Sequence, residues 1–255
     1  MLGLLDKKES LNEISVKTGL PKTTIYHHYR KKYPKKVIEV KISKNMEDIG
    51  EFLGIFASDG YSNIGDNYHY VIRLFFNVKE NQYIEEITTF LTKFFNKPPS
   101  KFQHKCNATI LRYYSKKIFD FISFYLEWNR AGKGSKSRTI RLVRVEKSKK
   151  FKIGFLRGCI DADGYINKNK IIFATSSEDL ANTICNFLYK LKIKFTYNIR
   201  NEKRKNRIPM KIIYIRREDR QKFFNVIKPR KCVEGESNPH HRLASQNVMN
   251  GRPGS

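Results

Sequence analysis

Phe155-Leu156-Arg157-Gly158-Cys159-Ile160-Asp161-Ala162-Asp163-Gly164-Tyr165 repeats a pattern already met as Phe52-Leu53-Gly54-Ile55-Phe56-Ala57-Ser58-Asp59-Gly60-Tyr61. The second Asp-Gly-Tyr follows the first by 104 residues, so the chain reads as a duplication with one such acid per half. Each copy looks like the end of an apolar helix stopped by glycine. Gly60 and Gly164 suit the left-handed position just past a helix, where a Cβ is penalised. Gly54 and Ser58, and likewise Gly158 and Ala162, are four apart, which places small residues in a stripe on one helix face. Two such stripes allow the helices to pack closer than the usual ~8–10 Å.

That contact would bring Asp59 and Asp163 together at two helix C-termini. Carboxylates at the negative end of the helix dipole favour a bound cation. Paired carboxylates beside free carbonyls are hard oxygen donors, which suit a Mg²⁺ that keeps several waters. A single Asp-Gly is more often a plain turn; two in matching context point to a metal site.

Both segments resemble the LAGLIDADG motif of homing endonucleases, the second closely. The first departs by having Ala57 where the motif has its first Asp. The resemblance covers about residues 47–231. It implies that the later acids, Asp59 and Asp163, bind Mg²⁺, with Mn²⁺ as a substitute, and that both DNA strands are cut across the minor groove to leave short 3′ overhangs. It also implies basic residues beside the metals after the last helix of each repeat. By position these are Lys231 in the second half and Lys136 or Arg138 in the first.

Lys plus Arg outnumber Asp plus Glu by 51 to 24, a formal charge of +27 spread along the chain, which points to a polyanionic partner. Eighteen Phe and fourteen Tyr argue against disorder. Cys106, Cys159, Cys185 and Cys232 show no metal-ligand spacing, and a reducing cytosol is the simplest setting. No run approaches the ~18–20 apolar residues of a membrane span and no signal peptide opens the chain. A cytoplasmic protein, or an organellar one if intron-encoded, is expected, neither membrane-bound nor secreted.

Residues 1–33 read as a helix-turn-helix unit. Ser10-Leu11-Asn12-Glu13 is a capping box, Leu11, Ile14 and Val16 supply apolar positions, Gly19 makes the turn, and Pro21 opens a second helix. That helix would present Lys22, Thr23, Thr24, His27, His28 and Arg30 to a major groove. Residues 34–46 are a basic linker, 47–129 the first repeat, 130–149 a cationic connector, 150–231 the second repeat and 232–255 a polar tail expected to be unstructured.

The expected fold is α+β: two pseudo-symmetric αββαββα repeats whose antiparallel sheets form a saddle on double-stranded DNA. Asn63, His69 and Arg73 in the first half, and Asn167, Lys168, Lys170, Asn198 and Arg200 in the second, are the candidate base readers. Lys203, Arg204, Lys205 and Arg207, with Lys211 and Arg216, form a candidate phosphate clamp. Composition and motifs thus favour a monomeric, site-specific DNA endonuclease. Two alternatives use the same basic surface: a catalytically inactive transcription regulator, and an RNA maturase that folds an intron.

Overall fold

The computed structural model describes residues 9–33, 38–65, 69–104, 107–129, 135–167, 169–200 and 209–231. Lys168, Lys203, Arg204, Lys205, Arg207, Cys106, Cys232, much of the expected connector and the whole expected tail lie outside them. The chain divides into two compact units, residues 1–39 and 40–255.

In the first unit, α1 (Leu11–Thr18) and α2 (Lys22–Lys32) meet around a left-handed Gly19, φ 68°. The capping box is complete: Ser10 N–H donates to Glu13 Oε2 at 2.8 Å, and Glu13 N–H to Ser10 Oγ at 3.3 Å. Ile14 and Ile25 are fully buried against each other's surroundings, with Leu11 and Leu20 packed on them. Val16, expected on the apolar face, is instead 86% exposed; it lies two positions from Ile14, on the far side of the helix.

In the second unit, each repeat has the expected order. The first runs α3 (Met46–Asp59), β1 (Gly60–Gly65), β2 (His69–Asn77), α4 (Asn81–Phe95), β3 (Ser100–His104), β4 (Ala108–Tyr114) and α5 (Lys116–Tyr125). A short hairpin, β5 (Leu126–Glu127) with β6 (Arg141–Leu142), brackets α6 (Ser135–Thr139). The second runs α7 (Lys149–Asp163), β7 (Tyr165–Ile166), β8 (Ile171–Thr175), α8 (Glu178–Lys190), β9 (Phe195–Arg200), β10 (Met210–Ile215) and α9 (Arg220–Ile227). The two four-stranded antiparallel sheets have matching orders, β1-β2-β4-β3 and β7-β8-β10-β9.

Period-two alternation decides which residues each sheet buries. Ile72, Leu74 and Phe76 of β2 and Phe173 of β8 point into one continuous core shared by both repeats. That core reaches upstream of the first repeat. Val40 is buried, and the N–H groups of Lys41 and Ser43 donate to the carbonyls of Phe95 and Phe94, so the end of the expected linker is tied to α4.

The centre of the unit is the contact between α3 and α7. It is made by Gly50, Gly54, Gly154 and Gly158, a GxxxG pair on each helix. A Cβ would stand 2.1 Å from the Phe151 carbonyl oxygen at Gly50, 2.2 Å from that of Phe155 at Gly54, 1.9 Å from that of Glu47 at Gly154 and 2.2 Å from that of Glu51 at Gly158. Backbone therefore lies directly on backbone. The stripe runs one turn further toward the N-termini than the sequence suggested. Gly54 and Gly158 belong to it, Gly50 and Gly154 extend it, and Ser58 and Ala162 are half-buried.

Gly60 and Gly164 are not left-handed. Both are extended, with φ −84° and −81°, so their freedom at positive φ is not the reason for glycine. Space is. A Cβ would lie 2.3 Å from the Phe56 ring at Gly60 and 2.3 Å from Ile160 Cδ1 at Gly164.

Candidate active site

Asp59 and Asp163 are the last residues of α3 and α7, so the glycine contact carries them to the same end of the helix pair. They lie close enough for the charge of Asp163 to act on Asp59. Asp59 is half-buried and Asp163 is exposed. Burial, then the charge of Asp163, push Asp59 up to about 7, against the pull of Lys231 and Lys136. Asp163 is also raised, first by the loss of water around its carboxyl group at the cleft, with Lys136 and Lys231 opposing. A proton held between two carboxyl groups relieves their repulsion, and a cation can take its place.

Two lysines flank the pair. Lys136, on α6, donates from Nζ to the Ala57 carbonyl at 2.7 Å and to the Ser58 carbonyl at 3.3 Å, and sits 5.2 Å from the Phe56 ring centroid. It closes the C-terminal end of α3, where a cation meets the helix dipole. Burial lowers its pKa to about 8, although the two aspartates favour the charged form. Lys231 pairs with Glu80 Oε1 at 2.7 Å and lies over Tyr83, 4.9 Å from its ring centroid. Arg138, the alternative to Lys136, is exposed, and it is the Lys136 ammonium that reaches the helix end.

Sequence reasoning missed a buried ionic chain beside this centre. Glu51, 1% exposed, pairs with Arg157 Nη1 at 3.0 Å and with the guanidinium of Arg230, whose Nη2 lies at 3.2 Å. Arg157 reaches on to Glu47 at 2.6 Å and donates from Nε to the Ile227 carbonyl at 2.7 Å. Asp161, also 1% exposed, accepts the backbone N–H of Arg230 at 2.9 Å and of Lys231 at 3.2 Å. Burial is the main cause that pushes Asp161 up to about 7, and those two N–H groups oppose it.

A cleft of about 180 Å³ opens beside the second half, lined by Ser58, Ser137, Cys159, Asp163, Thr175 and Met210 among others. Among the described residues no cluster of three or more His, Cys, Asp or Glu exists. The aspartates would therefore share a cation with carbonyl, water and phosphate oxygens, the donor set that Mg²⁺ accepts.

The outward sheet faces carry the nucleic-acid candidates. On the first sheet, register places Tyr61, Arg73, Arg112 and Ser100 in one row, with Asn63 and Tyr114 in the next and His69 at the strand end. Asn63 Oδ1, Arg73 Nε and Arg112 Nε are buried within this face and have no hydrogen-bond partner among the described residues. Arg112 stacks 4.1 Å over Phe102 and donates to Tyr114 OH at 2.7 Å; neither residue stood out in the sequence, although both alternate with core positions.

On the second sheet, Asn198 and Arg200 of β9 are exposed and share the outward face with Tyr165 and Tyr214. Lys170 is exposed on the β7–β8 turn, where Asn167 Oδ1 accepts its N–H. Lys211 is a correction. It pairs with Thr175 on the core-facing side of β10, and its ammonium donates to the Ser176 carbonyl at 3.0 Å. Arg216 lies just past β10, 4.0 Å from Glu218. In the first unit Lys22, Thr23 and His27 are exposed, while Thr24, His28 and Arg30 are half-buried.

The LAGLIDADG-like domain family matches residues 150–228. The second repeat is similar to that family over nearly its whole length. The first repeats its element order and strand order, so the unit as a whole has the two-motif LAGLIDADG homing-endonuclease fold. Among solved structures, that of the homing endonuclease I-DmoI in complex with DNA and Ca superposes with TM-score 0.58 at 16% identity, covering 80% of this chain and 100% of that one. I-DmoI with DNA and Mn gives 0.54 at 15% identity, covering 74% and 100%. The homing endonuclease I-WcaI bound to its DNA recognition sequence gives 0.50 at 17% identity, covering 88% and 95%. No curated protein matches by sequence.

Proposed function

We propose that this chain is a site-specific, divalent-metal-dependent DNA endonuclease. It acts as a monomer on both strands of a long asymmetric duplex, with Asp59 and Asp163 holding Mg²⁺ between them, or Mn²⁺ in its place. The observation that carries the reading is the pair of aspartates brought together at the ends of two glycine-packed helices and flanked by two lysines. When bound, the metal supplies a water nucleophile of lowered pKa and neutralises charge on the phosphate.

The chain's own groups do the rest. Asp59 and Asp163 would hold the cation as carboxylates, so that a proton kept by the pair would pass to solvent. Lys136 and Lys231 place positive charge where a pentavalent phosphate would gather negative charge. The outward sheet rows around Arg73 and Arg112 read base edges, and the cationic surface binds phosphates. The first unit adds contacts outside the central site through α2, where Lys22, Thr23 and His27 are exposed.

The test is selection of cut duplexes from a randomised library in Mg²⁺. A double-strand break with short 3′ overhangs at one long sequence is expected. Binding without cutting would favour the regulator reading, and splicing of an intron RNA without DNA cleavage would favour the maturase.

Three further outcomes are expected. Cation affinity of the carboxylate pair should depend on pH. Because the folded pair keeps a proton up to about pH 7 while a free Asp loses it near 4, binding must displace a proton below pH 7. Affinity measured by calorimetry should therefore rise with pH, by up to about tenfold per unit, and level off above 7. The sign for folding is the opposite: the metal-free protein should lose stability as pH climbs from about 4 to 7.

Arg112→Ala should cost about 1–3 kcal/mol against the preferred sequence and relax specificity at the contacted base pair, read by competition binding. His27→Ala with Arg30→Ala should shorten the hydroxyl-radical footprint on one flank and leave the central protection. An unchanged flank would remove the first unit from the interface.

A further inference from the structure

The two flanking lysines are held in place by different contacts. Lys136 is held through its own ammonium, on the carbonyls of Ala57 and Ser58. Lys231 is held through its ammonium on Glu80 and also through the backbone that carries it. After α9 the backbone turns at Lys228, φ 52°, and the next residues are tied to both central helices. Asp161 on α7 takes the N–H groups of Arg230 and Lys231. Glu51 on α3 takes the Arg230 guanidinium, which also stacks 5.1 Å over Phe90. Arg157 fixes the carbonyl of Ile227 at the end of α9.

Among the described residues none of this is duplicated. In the repeat alignment Ala57 stands at the position of Asp161, Leu53 at that of Arg157, and Phe155 at that of Glu51. Arg230 spends its charge on Glu51, itself buried among core side chains, and leaves the ammonium of Lys231 to face Glu80 and the aspartate pair.

We propose that Arg230 is a positioning residue that, through Glu51, sets Lys231 beside the Asp59–Asp163 pair, so that the two strands of the duplex are cut by halves of unequal construction. This rests on the nuclease reading. Removing the guanidinium takes the Glu51 tie from the 228–231 turn, leaves those of Asp161 and Arg157, and so loosens one lysine of the two. A misplacement of about 1 Å at such a group is enough to cost up to ~10²-fold in rate.

Arg230→Met keeps the length and loses the fork; Arg230→Lys keeps a charge. If Met at 230 strands the buried Glu51 and unfolds the chain, Arg230→Met with Glu51→Gln removes both charges together. Nicking rates are read separately on the two end-labelled strands of a selected duplex. Acylation of Lys231 and Lys136 in the metal-free protein is followed by mass spectrometry.

With Arg230→Met, or with the double variant, one strand is expected to be cut about tenfold more slowly. The other strand changes little and DNA affinity is retained. Lys231 acylates faster while Lys136 does not, and Arg230→Lys recovers part of the lost rate. Equal slowing of both strands, or unchanged acylation of Lys231 in a folded variant, overturns the proposal. If the wild-type chain cuts no duplex in Mg²⁺, the nuclease reading fails, and the acylation rates alone decide whether Arg230 holds Lys231.

Discussion

Asp163→Asn and Asp59→Asn are each expected to lower the rate of double-strand cleavage by at least about 10³-fold while leaving DNA binding close to that of the unaltered chain. The size of the effect follows from position. Each carboxylate is one of two at the site, and among the described residues no third His, Cys, Asp or Glu completes a cluster that could replace it. An amide keeps the shape but carries no charge for a cation. Binding survives because the polar rows around Arg73 and Arg112 lie on the sheet and include neither aspartate.

The same substitutions should not destabilise the metal-free protein at neutral pH. The folded state raises both aspartates, so their ionised forms are held at a cost that an amide avoids. A melting temperature equal to or above wild type, measured at pH 7.5 beside the cleavage rate, checks this. A folded variant that still cuts would remove the aspartates from the reaction.

The second large effect concerns folding. Gly154→Val is expected to abolish the folded second unit. A Cβ there would stand 1.9 Å from the Glu47 carbonyl oxygen and 2.8 Å from the Glu51 nitrogen. Both are backbone atoms inside a helix, so no rotamer change makes room; α3 and α7 must separate. That separation would break the Arg157–Glu51 and Arg157–Glu47 pairs and expose the shared core. A loss above about 4 kcal/mol is expected, comparable with the whole stability of many domains. Gly65→Ala is the control, since a Cβ at Gly65 meets nothing nearer than 3.7 Å. Circular-dichroism melts of the two variants should differ accordingly, and a cooperative wild-type-like melt for Gly154→Val would contradict the packing described.

The duplication, the element order and the pairing of Asp59 with Asp163 were legible because each rests on local signals. These are a helix stopped by Asp-Gly, alternation in β2, and helical periodicity from Ile84 to Phe95. The core of the small-residue stripe was legible too, but its extent was not. Gly50 and Gly154 stand at the same four-residue spacing, one turn before the repeated motif on which attention falls. Gly60 and Gly164 show a different limit: glycine can answer to a steric demand as well as a conformational one, and only the neighbouring Phe56 and Ile160 reveal which.

The ionic chain could not be read at all. Glu51 and Arg157 are 106 residues apart, and Glu51 and Arg230 are 179 apart. In sequence each looks like an ordinary helix-surface or loop charge. Lys211 failed for a related reason: a lysine on a strand suggests an outward face, yet its register with Thr175 turns it inward, where the Ser176 carbonyl takes its ammonium.

A cation held between the two helix ends is the centre of the proposed mechanism. Electron paramagnetic resonance of Mn²⁺, titrated into the protein on a selected duplex at pH 7.5, reads that site directly. Protein-bound Mn²⁺ that is lost in both Asp59→Asn and Asp163→Asn, with the duplex still bound, is the expected result. Undiminished Mn²⁺ binding in the folded, DNA-bound variants would contradict the assignment.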